Sequence, residues 1–484
     1  MEIFNNILAI INNVILTVVG VSFGIQLIYI LLFFLPYKKL PKAKTKHKFG
    51  IIICARNEES VIGDTIACLK NLNYPKELYD IFVVAHNCTD NTKQVAEDAG
   101  AIVFECYDDN PKHKRVAYAL KYGFEQILNG YDNYEAFVRF DADNLVDKDY
   151  LEYMNDAFDA GYHMARGYNA SKNFSQNVVT GISGLWYLRD TRFTAHVRKS
   201  IHLNQFLLGP GMMFSAKIIR EDGGWTKALG LVEDQEFALK QLYKKYKSTY
   251  VKEAVVYDDQ PSTIKDTYNR YTRIGKGTWD LFWTDGLKCL GKFFVTFNFS
   301  YLDAFLTLLF IPIALIMIIW MPLYYGYWII FNAIIGNTAV LLEIAKMVGI
   351  ALVFAYLIPF WLQGILVVAL ERKRLGKENM KGIWKTILLF PAFMIIYAIS
   401  IAVGCVSKPN WKQIKRNKVV TVDDVKTKEA DVTVAKTEDE SATSQDNYKE
   451  DNKEEILLEE MENDIKTIAE ETIVKEDKKT SAVK

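Results

Sequence analysis

Two carboxylates, Asp141 and Asp143, directly follow an apolar run from Phe137 to Phe140 that has the character of a buried strand. Side chains two residues apart on a strand point to the same face, so this pair could hold one cation. Hard ions such as Mg²⁺ take oxygen ligands, commonly one or two carboxylates together with substrate phosphates. An isolated Asp-x-Asp is more often a solvated acidic turn, so the surrounding elements must decide between the two interpretations.

The segment from residue 48 to about 278 alternates between strand-like and helix-like stretches. We expect strands at 49–55, 80–85, 101–104 and 137–140, and helices ending near 72 and spanning 115–128 and 149–160. Alternation of this kind predicts an α/β domain with a mixed, mainly parallel sheet and crossover helices. Ligands bind in such sheets beyond the carboxyl ends of the strands. The loops at 54–59, 86–92 and 141–144 should therefore converge on one site.

Long apolar runs flank this segment on both sides, and runs of 18 or more apolar residues predict membrane spans. Residues 7–36 predict one transmembrane helix. Later spans are predicted at about 302–323, 346–370 and 384–406, with a weaker candidate at 327–343. The stretch 279–298 mixes aromatic and charged residues, which predicts a helix lying in the membrane interface.

The formal net charge of zero hides an uneven distribution. Residues 421–484 hold 20 acidic and 10 basic residues, so the rest of the chain carries a matching positive excess, concentrated beside the apolar runs. The basic linker after the first span, with Lys38, Lys39 and four further lysines up to Lys48, predicts a cytoplasmic location for the domain that follows. It also favours anionic lipid over nucleic acid as the partner of this charge.

Two other features limit the interpretation. The tail at 411–484 is highly charged and poor in aromatic residues, which is typical of disorder. Its apolar residues at helical spacing leave open self-association or binding of an accessory subunit. The six cysteines show no spacing typical of a disulfide framework or of a zinc site.

Three ordered motifs carry a resemblance to a known family. They are Cys54-Ala55-Arg56-Asn57-Glu58 after a strand, Phe140-Asp141-Ala142-Asp143, and Gly223-Gly224-Trp225 followed by Glu233-Asp234. From about residue 48 to 280 the chain resembles the membrane-embedded family 2 glycosyltransferases, which include the cellulose, hyaluronan and poly-N-acetylglucosamine synthases. The resemblance implies a GT-A nucleotide-sugar-binding domain at 48–278, inserted between transmembrane segments at 1–47 and 279–410.

The resemblance also implies roles for individual residues. Asp141 and Asp143 would lie by the donor diphosphate and a Mg²⁺ or Mn²⁺ ion, which offsets charge on the leaving group. Asp234, next to Glu233, would be the base that takes the proton of the acceptor hydroxyl, and a single base with direct displacement gives inversion. The residues implied to bind the donor nucleotide and its phosphates are Ala55, Arg56, Glu58, Asp90, Lys114, Asp141 and Arg273.

Three residues are candidates for contact with the acceptor sugar. Gly211 lies in a Gly-Pro-Gly segment that would let the backbone approach a sugar closely, or would simply form a turn. Trp225 and Trp186 offer apolar faces to a sugar ring, although both also fit as core aromatic residues.

The chain departs from the family pattern at two places. His86 stands where the family commonly has an acidic residue at the nucleotide. The processivity motif, usually Gln-x-x-Arg-Trp, appears here as Arg270-Tyr271-Thr272-Arg273-Ile274. Of that motif, Arg273 remains as a diphosphate partner, a role that suits guanidinium geometry.

The expected protein is a multi-pass enzyme of the cell membrane with a cytoplasmic catalytic domain. It would polymerise a β-linked polysaccharide, with a β-glucan from UDP-glucose favoured, and export it through its own spans. Two alternatives stay open: a non-processive transferase that adds one sugar to a lipid or oligosaccharide, and a synthase that uses UDP-N-acetylglucosamine. A transporter or receptor with a soluble module would leave Asp141, Asp143 and Asp234 unexplained.

Overall fold

The computed structural model describes residues 2–131 and 133–407. The tail at 411–484, including its expected disorder, lies outside these residues. Eight strands are present in the described part: β1 Phe49–Ala55, β2 Tyr79–His86, β3 Ile102–Cys106, β4 Ala136–Asp141, β5 Leu145–Val146, β6 Met164–Ser171, β7 Met212–Ser215 and β8 Ser248–Asp258.

Helices cover the sheet and form the apolar segments. They are α1 Glu2–Leu32, α2 Ile62–Lys70, α3 Thr92–Asp98, α4 Val116–Gly130, α5 Tyr150–Asp159, α6 Val178–Asp190, α7 His196–Ser200, α8 Ala216–Asp222, α9 Glu233–Tyr243, α10 Ile264–Leu281, α11 Leu287–Thr296, α12 Phe299–Ile334, α13 Thr338–Ile350, α14 Ile358–Met380 and α15 Ile383–Val406. Short π-helical segments occur at Thr191–Ala195, Phe282–Gly286 and Ala351–Leu357.

The eight strands form one sheet in the order β3-β2-β1-β4-β7-β6-β8-β5. β1 pairs in parallel with β2 and β4, β2 with β3, and β6 with β8. β7 runs antiparallel to β4 and β6, and β5 runs antiparallel to β8. The predicted mixed sheet is confirmed, and most of its strand pairings are parallel. The carboxyl ends of β1, β2 and β4 lie side by side, which brings their loops to one edge.

β1 is buried because helices cover the sheet on each face. Ile51 and Ile53 pack into the same apolar cluster as Leu69 and Met154, whereas Ile52 packs with Phe124 on the opposite face. A strand covered on both faces is a continuous apolar run in the sequence, which is why β1 could be predicted.

An ion pair and backbone hydrogen bonds hold the basic linker between α1 and β1 against α5. Lys42 Nζ lies 3.1 Å from the Asp156 carboxylate. The backbone N–H groups of Ala43 and Lys44 donate to Asp156 and Asp159 at 2.8 and 3.0 Å. Part of the positive charge that was expected to face anionic lipid is therefore neutralised within the domain.

In the part of the chain that the structure describes, four helical stretches are long and apolar enough to cross a membrane: Glu2–Leu32, Phe299–Ile334, Thr338–Lys377 and Ile383–Val406. They include the strong spans predicted from the sequence. The weaker candidate at 327–343 is wrong as a separate span. Its first part continues α12, its last part belongs to α13, and a turn at 335–337 divides them.

The interface helix predicted at 279–298 forms the second part of a longer, continuous helical stretch in the structure. α10 continues to Leu281, a π-helical segment follows, and α11 begins at Leu287. At the end of α11, Phe294, Val295 and Phe297 are 64%, 82% and 71% exposed. Such an apolar surface is typical of helices that lie in a membrane interface.

α15 packs against α10 through a glycine on each helix. A Cβ added to Gly404 would lie 2.2 Å from the carbonyl oxygen of Thr272, and one added to Gly275 would lie 2.7 Å from the Cα of Ile401. The two backbones are thus close enough that any side chain at these positions would collide with the partner helix.

Candidate active site

The loops that follow β1 and β2 hold each other in place. Asn57 and Asn87 adopt the left-handed conformation, with φ of 55° and 54°, which asparagine tolerates better than most residues. The Asn57 side chain accepts from the N–H of Thr89 at 2.7 Å, and that of Asn87 accepts from the N–H of Asp108 at 2.9 Å. Both loops are therefore fixed at the edge where the site was expected.

Four of the residues implied to bind the donor lie in these loops or directly before them: Ala55, Arg56, Glu58 and Asp90. Ala55 is buried at the end of β1, and the N–H of Glu58 donates to the Thr92 hydroxyl at 2.8 Å. The Asp90 carboxylate accepts from the N–H groups of Thr92 and Glu59 at 3.1 and 3.3 Å. In this structure Asp90 orders the two loops, and its role toward a nucleotide stays a prediction.

Arg56 and Lys114 are partly buried near His86, at the end of β2. Burial and the charge of Arg56 lower the pKa of His86, with a smaller contribution in the same direction from Lys114, while Asp108 opposes them. A neutral imidazole among cations therefore replaces the acidic residue that the family commonly has here.

Arg139, a residue not predicted from the sequence, connects the two halves of the site. It lies in β4 and is 3% exposed. Its Nη2 donates to Asp141 at 2.8 Å, and its Nη1 lies 3.2 Å from the Glu233 carboxylate. A charged residue inside an apolar strand was the signal for it, because such a residue is rarely buried without partners.

Polar residues also surround the turn after β4. Asp143 is 3% exposed, and the Asn144 side chain donates to Asp258 at 3.2 Å. Burial raises the pKa of Asp258 to about 6, with further contributions from Asp143 and Asp141, although Arg270 opposes the rise. The three carboxylates thus repel one another, and a bound cation would offset this excess of negative charge.

The donor set fits a divalent ion shared with a substrate. Among the residues that the structure describes, no group of three or more acidic, histidine or cysteine side chains lies close enough to hold a metal ion by itself. Asp141 keeps 33% of its side chain exposed beside the buried Asp143. Carboxylate oxygens at these two residues would leave the remaining positions to diphosphate oxygens and water, as is common for Mg²⁺.

Glu233 and Asp234 form the first turn of α9. Burial raises the pKa of both carboxyl groups, and Arg139 opposes the rise in each case. The N–H of Gln235 donates to Asp234 at 2.8 Å, and the backbone of Gly209 also favours its charged form. A carboxylate with raised proton affinity at the rim of a site suits a general base.

α10 brings two arginines to the site. Arg270 donates to Asp258 at 3.2 Å and also to the hydroxyl of Tyr187. Arg273 lies one turn further along α10, and its charge opposes the rise in the pKa of Asp234. Asp258 and Tyr187 were not predicted, because no motif in the sequence marks either of them.

The α6 face, defined by Trp186, Tyr187 and Arg189, leads from this site toward the apolar helices. The Arg189 guanidinium lies 4.7 Å above the Trp186 ring and donates to Gln363 of α14 at 2.6 Å. The ring of Trp186 also lies 4.9 Å from that of Tyr397 in α15. Trp186, a predicted acceptor residue, thus lies between the carboxylate site and the candidate membrane helices.

The other two predicted acceptor residues are enclosed in the core. Trp225 is 1% exposed, its ring stacks on Phe237 at 4.4 Å, and its N–H donates to the carbonyl of Ala228. Gly211 has φ of 68°, and a Cβ there would lie 2.6 Å from the Tyr150 hydroxyl. Packing accounts for both residues, and neither offers a surface to a sugar.

Two family models match the chain. The model described as Glycosyl transferase family 2 matches residues 50–223, and the model described as Glycosyl transferase family group 2 matches residues 137–332. Together these matches extend from β1 into α12, and they include Asp141, Asp143 and Asp234.

Similar proteins carry related descriptions. The chain is 24% identical over 375 residues to the probable glycosyltransferase YdaM of Bacillus subtilis (strain 168), a match that covers 71% of this chain and 77% of YdaM. The mannosyltransferase PcManGT from Pyrobaculum calidifontis, solved with GDP-Man and Mn²⁺, is 14% identical with a TM-score of 0.48 and covers 81% of this chain and 98% of its own. Glucosyl-3-phosphoglycerate synthase from Mycobacterium tuberculosis, solved with Mn²⁺, UDP and phosphoglyceric acid, is 15% identical with a TM-score of 0.32 and covers 48% and 81%.

Proposed function

We propose that this chain, a glycosyltransferase that carries family 2 domains, transfers a sugar with inversion from a nucleotide donor to an acceptor hydroxyl. The observation that carries the proposal is the position of Arg139, 2.8 Å from Asp141 and 3.2 Å from Glu233. One guanidinium thus joins the carboxylates suited to a metal and a diphosphate to the pair suited to proton transfer.

On the donor side, Asp141 and Asp143 would hold Mg²⁺ or Mn²⁺. When bound, the ion offsets the negative charge that develops on the departing nucleoside diphosphate. Arg273, and Arg56 with Lys114 on the loops beyond β1 and β3, supply the cations that a diphosphate attracts. We propose a UDP-sugar as the donor.

On the acceptor side, Asp234 removes the proton of the attacking hydroxyl. The acceptor oxygen forms a bond to the anomeric carbon while the bond from that carbon to the diphosphate oxygen breaks, and the nucleoside diphosphate leaves with the electron pair. Attack from the face opposite the leaving group inverts the anomeric centre. An α-linked donor then gives a β-linked product.

We further propose that the acceptor is a growing polysaccharide, with a β-glucan made from UDP-glucose as the favoured product, and that the chain exports it. The α6 face supports this, because Trp186 and Arg189, with Gln363 of α14, connect the carboxylate site to a candidate membrane helix. Aromatic rings and polar groups along one path are the contacts that a sugar chain needs. The exposed Lys38 and Lys39 at the end of α1 support a cytoplasmic catalytic domain at the cell membrane.

The test uses membranes that contain the full chain and a panel of single UDP-sugars. Asp234→Asn should lower transfer by a factor of about 10²–10⁴, because it removes the base. Donor binding should stay within about twofold of the unsubstituted chain, since Asp234 acts on the acceptor. Asp280→Asn, at an exposed residue near the end of α10, is the control and should retain transfer.

Product analysis with linkage-specific glycosidases then separates the finer alternatives. Long β-linked polymer from UDP-glucose supports the full proposal. Polymer from UDP-N-acetylglucosamine would support processivity but contradict the proposed donor sugar. Single-sugar products on a lipid or oligosaccharide would contradict processivity. Normal turnover by Asp234→Asn would contradict the assignment of the base.

A further inference from the structure

Lys199 of α7 and Lys252 of β8 converge on Tyr37, which follows the end of α1. We infer that these three residues, together with Arg374 of α14, form a binding site for the headgroup phosphate of an anionic membrane lipid. We call this group the Tyr37 site. It depends on the membrane placement proposed above, but not on the transfer reaction.

Tyr37 is the centre of the Tyr37 site. The Lys199 Nζ lies 4.0 Å and the Lys252 Nζ 5.7 Å from the centroid of its ring. The Tyr37 hydroxyl accepts from the backbone N–H of Lys252 at 2.9 Å and donates to Glu253 at 2.8 Å. Two ammonium groups therefore lie beside one aromatic ring, and the two hydrogen bonds of the Tyr37 hydroxyl fix the position of that ring.

Lys199 provides the strongest indication of a ligand. Its Nζ is buried and makes no hydrogen bond within the part of the chain that the structure describes. Burial lowers the pKa of Lys199 to about 8, against the opposing effect of Glu253. A buried ammonium without an acceptor is costly, and a phosphate oxygen would supply the missing acceptor.

Arg374 extends the Tyr37 site toward α14. Its guanidinium lies 4.1 Å from the ring centroid of Tyr168, and its Nη2 donates to the carbonyl of Lys252 at 3.2 Å. The neighbouring Glu371 is already paired with Arg192. Three cationic side chains, Lys199, Lys252 and Arg374, therefore share the Tyr37 site with one further carboxylate, that of Glu253.

The location of the Tyr37 site indicates a lipid as the source of the phosphate. α1 and the apolar stretch 338–377 both end beside it, so it lies where the headgroups of the adjacent leaflet would be. Four exposed basic residues directly neighbour Tyr37 or Arg374 in the sequence: Lys38, Lys39, Arg372 and Lys373. Basic pockets between membrane helices at this level are typical sites for anionic headgroups.

The test uses the purified full chain, incorporated into phosphatidylcholine bilayers with or without phosphatidylglycerol and then extracted in detergent. Native mass spectrometry counts the phosphatidylglycerol that stays bound. Lys199→Gln should lower this retention at least about tenfold, the effect of losing one hydrogen bond to a charged group. Lys199→Arg should preserve it. Lys217→Gln, at a lysine 63% exposed on α8, is the matched control and should match the unsubstituted chain.

Two further measurements keep the inference open to refutation. Lys252→Gln should act in the same direction as Lys199→Gln, which covers the case that the first variant does not fold. Equal retention by both variants and the unsubstituted chain would overturn the inference. So would displacement of the lipid by millimolar inorganic phosphate, which would identify a free anion as the ligand. None of these readouts depends on sugar transfer, so this inference and the proposed function can fail separately.

Discussion

Arg139 lies between carboxylates with different proposed tasks, Asp141 toward the donor and Glu233 toward the acceptor. Its guanidinium presents several N–H donors in a rigid plane, so it can hold both partners at a fixed separation. A lysine would offer a single point charge and could not span the two. One side chain therefore sets the spacing between the proposed metal carboxylates and the proposed base.

The pH dependence of transfer follows from the surroundings of Asp234. Burial raises its pKa, and only the deprotonated carboxylate can accept a proton. We expect kcat/KM to fall with decreasing pH, beginning at a higher pH than for an ordinary aspartate. Arg139→Gln removes the charge that opposes this rise most strongly, so the acidic limb should move to still higher pH. Glu233 and Arg273 remain beside Asp234 in both proteins, and an unchanged pH profile in the variant would contradict the argument.

A second prediction concerns the metal. Removal of divalent ions with a chelator should abolish transfer, and Mn²⁺ or Mg²⁺ should restore it, because a cation offsets the charge of the diphosphate. Asp143→Asn should raise the Mn²⁺ concentration needed for half-maximal activity by about 10–100-fold, an order of magnitude typical of weakened metal sites. Titration of activity with Mn²⁺ measures the shift, with Asp280→Asn as the control. Full activity in the presence of chelator would refute the metal assignment.

At the level of elements, the contact between α10 and α15 positions the arginines of the site. Gly404→Val should disrupt this contact, because even its Cβ would lie 2.2 Å from the Thr272 carbonyl oxygen. Arg270 and Arg273 lie on the same stretch of α10 as Thr272. We therefore expect a loss of stability of about 1–3 kcal/mol from overpacking, and lower transfer activity.

Thermal unfolding in detergent and initial transfer rates measure these two effects. Gly326→Val is the matched control, because among the described residues no atom outside the neighbouring turns of α12 lies within 4 Å of a Cβ added to that glycine. If both valine variants lost activity equally, the cause would be valine in a helix and not the contact between α10 and α15.

Some elements could be predicted from the sequence because the apolar residues within the element itself reveal that it is buried. β1 is a continuous apolar run and β4 is an apolar run interrupted by Arg139, and the parallel arrangement brings Asp141 to the same edge as the loops after β1 and β2. Asp258 could not be predicted, because it arrives on β8 and reaches Asp143 only through the pairing of distant strands. Trp225 was judged a candidate for sugar contact because nothing in its local sequence reveals that Phe237 covers its ring.

At the level of the whole molecule, α15 contacts the catalytic domain near both of its ends. A Cβ on Gly181 of α6 would lie 2.9 Å from the Thr386 hydroxyl near the start of α15, and Gly404 near its end meets Thr272 of α10. A helix that crossed the bilayer would carry one end away from the domain. We therefore expect α15 to lie along the domain, with both of its ends on the same side of the membrane.

Protease accessibility of an epitope tag tests this expectation. A tag at the C-terminus should be cleaved only in vesicles whose catalytic domain faces outward. A tag inserted in the turn at 335–337, between α12 and α13, should be cleaved only in vesicles of the opposite orientation. If both tags were cleaved from the same side, α15 would be a membrane span.

The linker fastened to α5 has a mechanical consequence. A flexible linker would let the catalytic domain, together with any bound ligand, change its position relative to the end of α1. Because the backbone of Ala43 and Lys44 is hydrogen-bonded to Asp156 and Asp159, the linker instead holds the domain close to α1. The catalytic domain therefore keeps a fixed position relative to α1. Under the processive reaction proposed above, the product and not the domain would therefore move after each transfer.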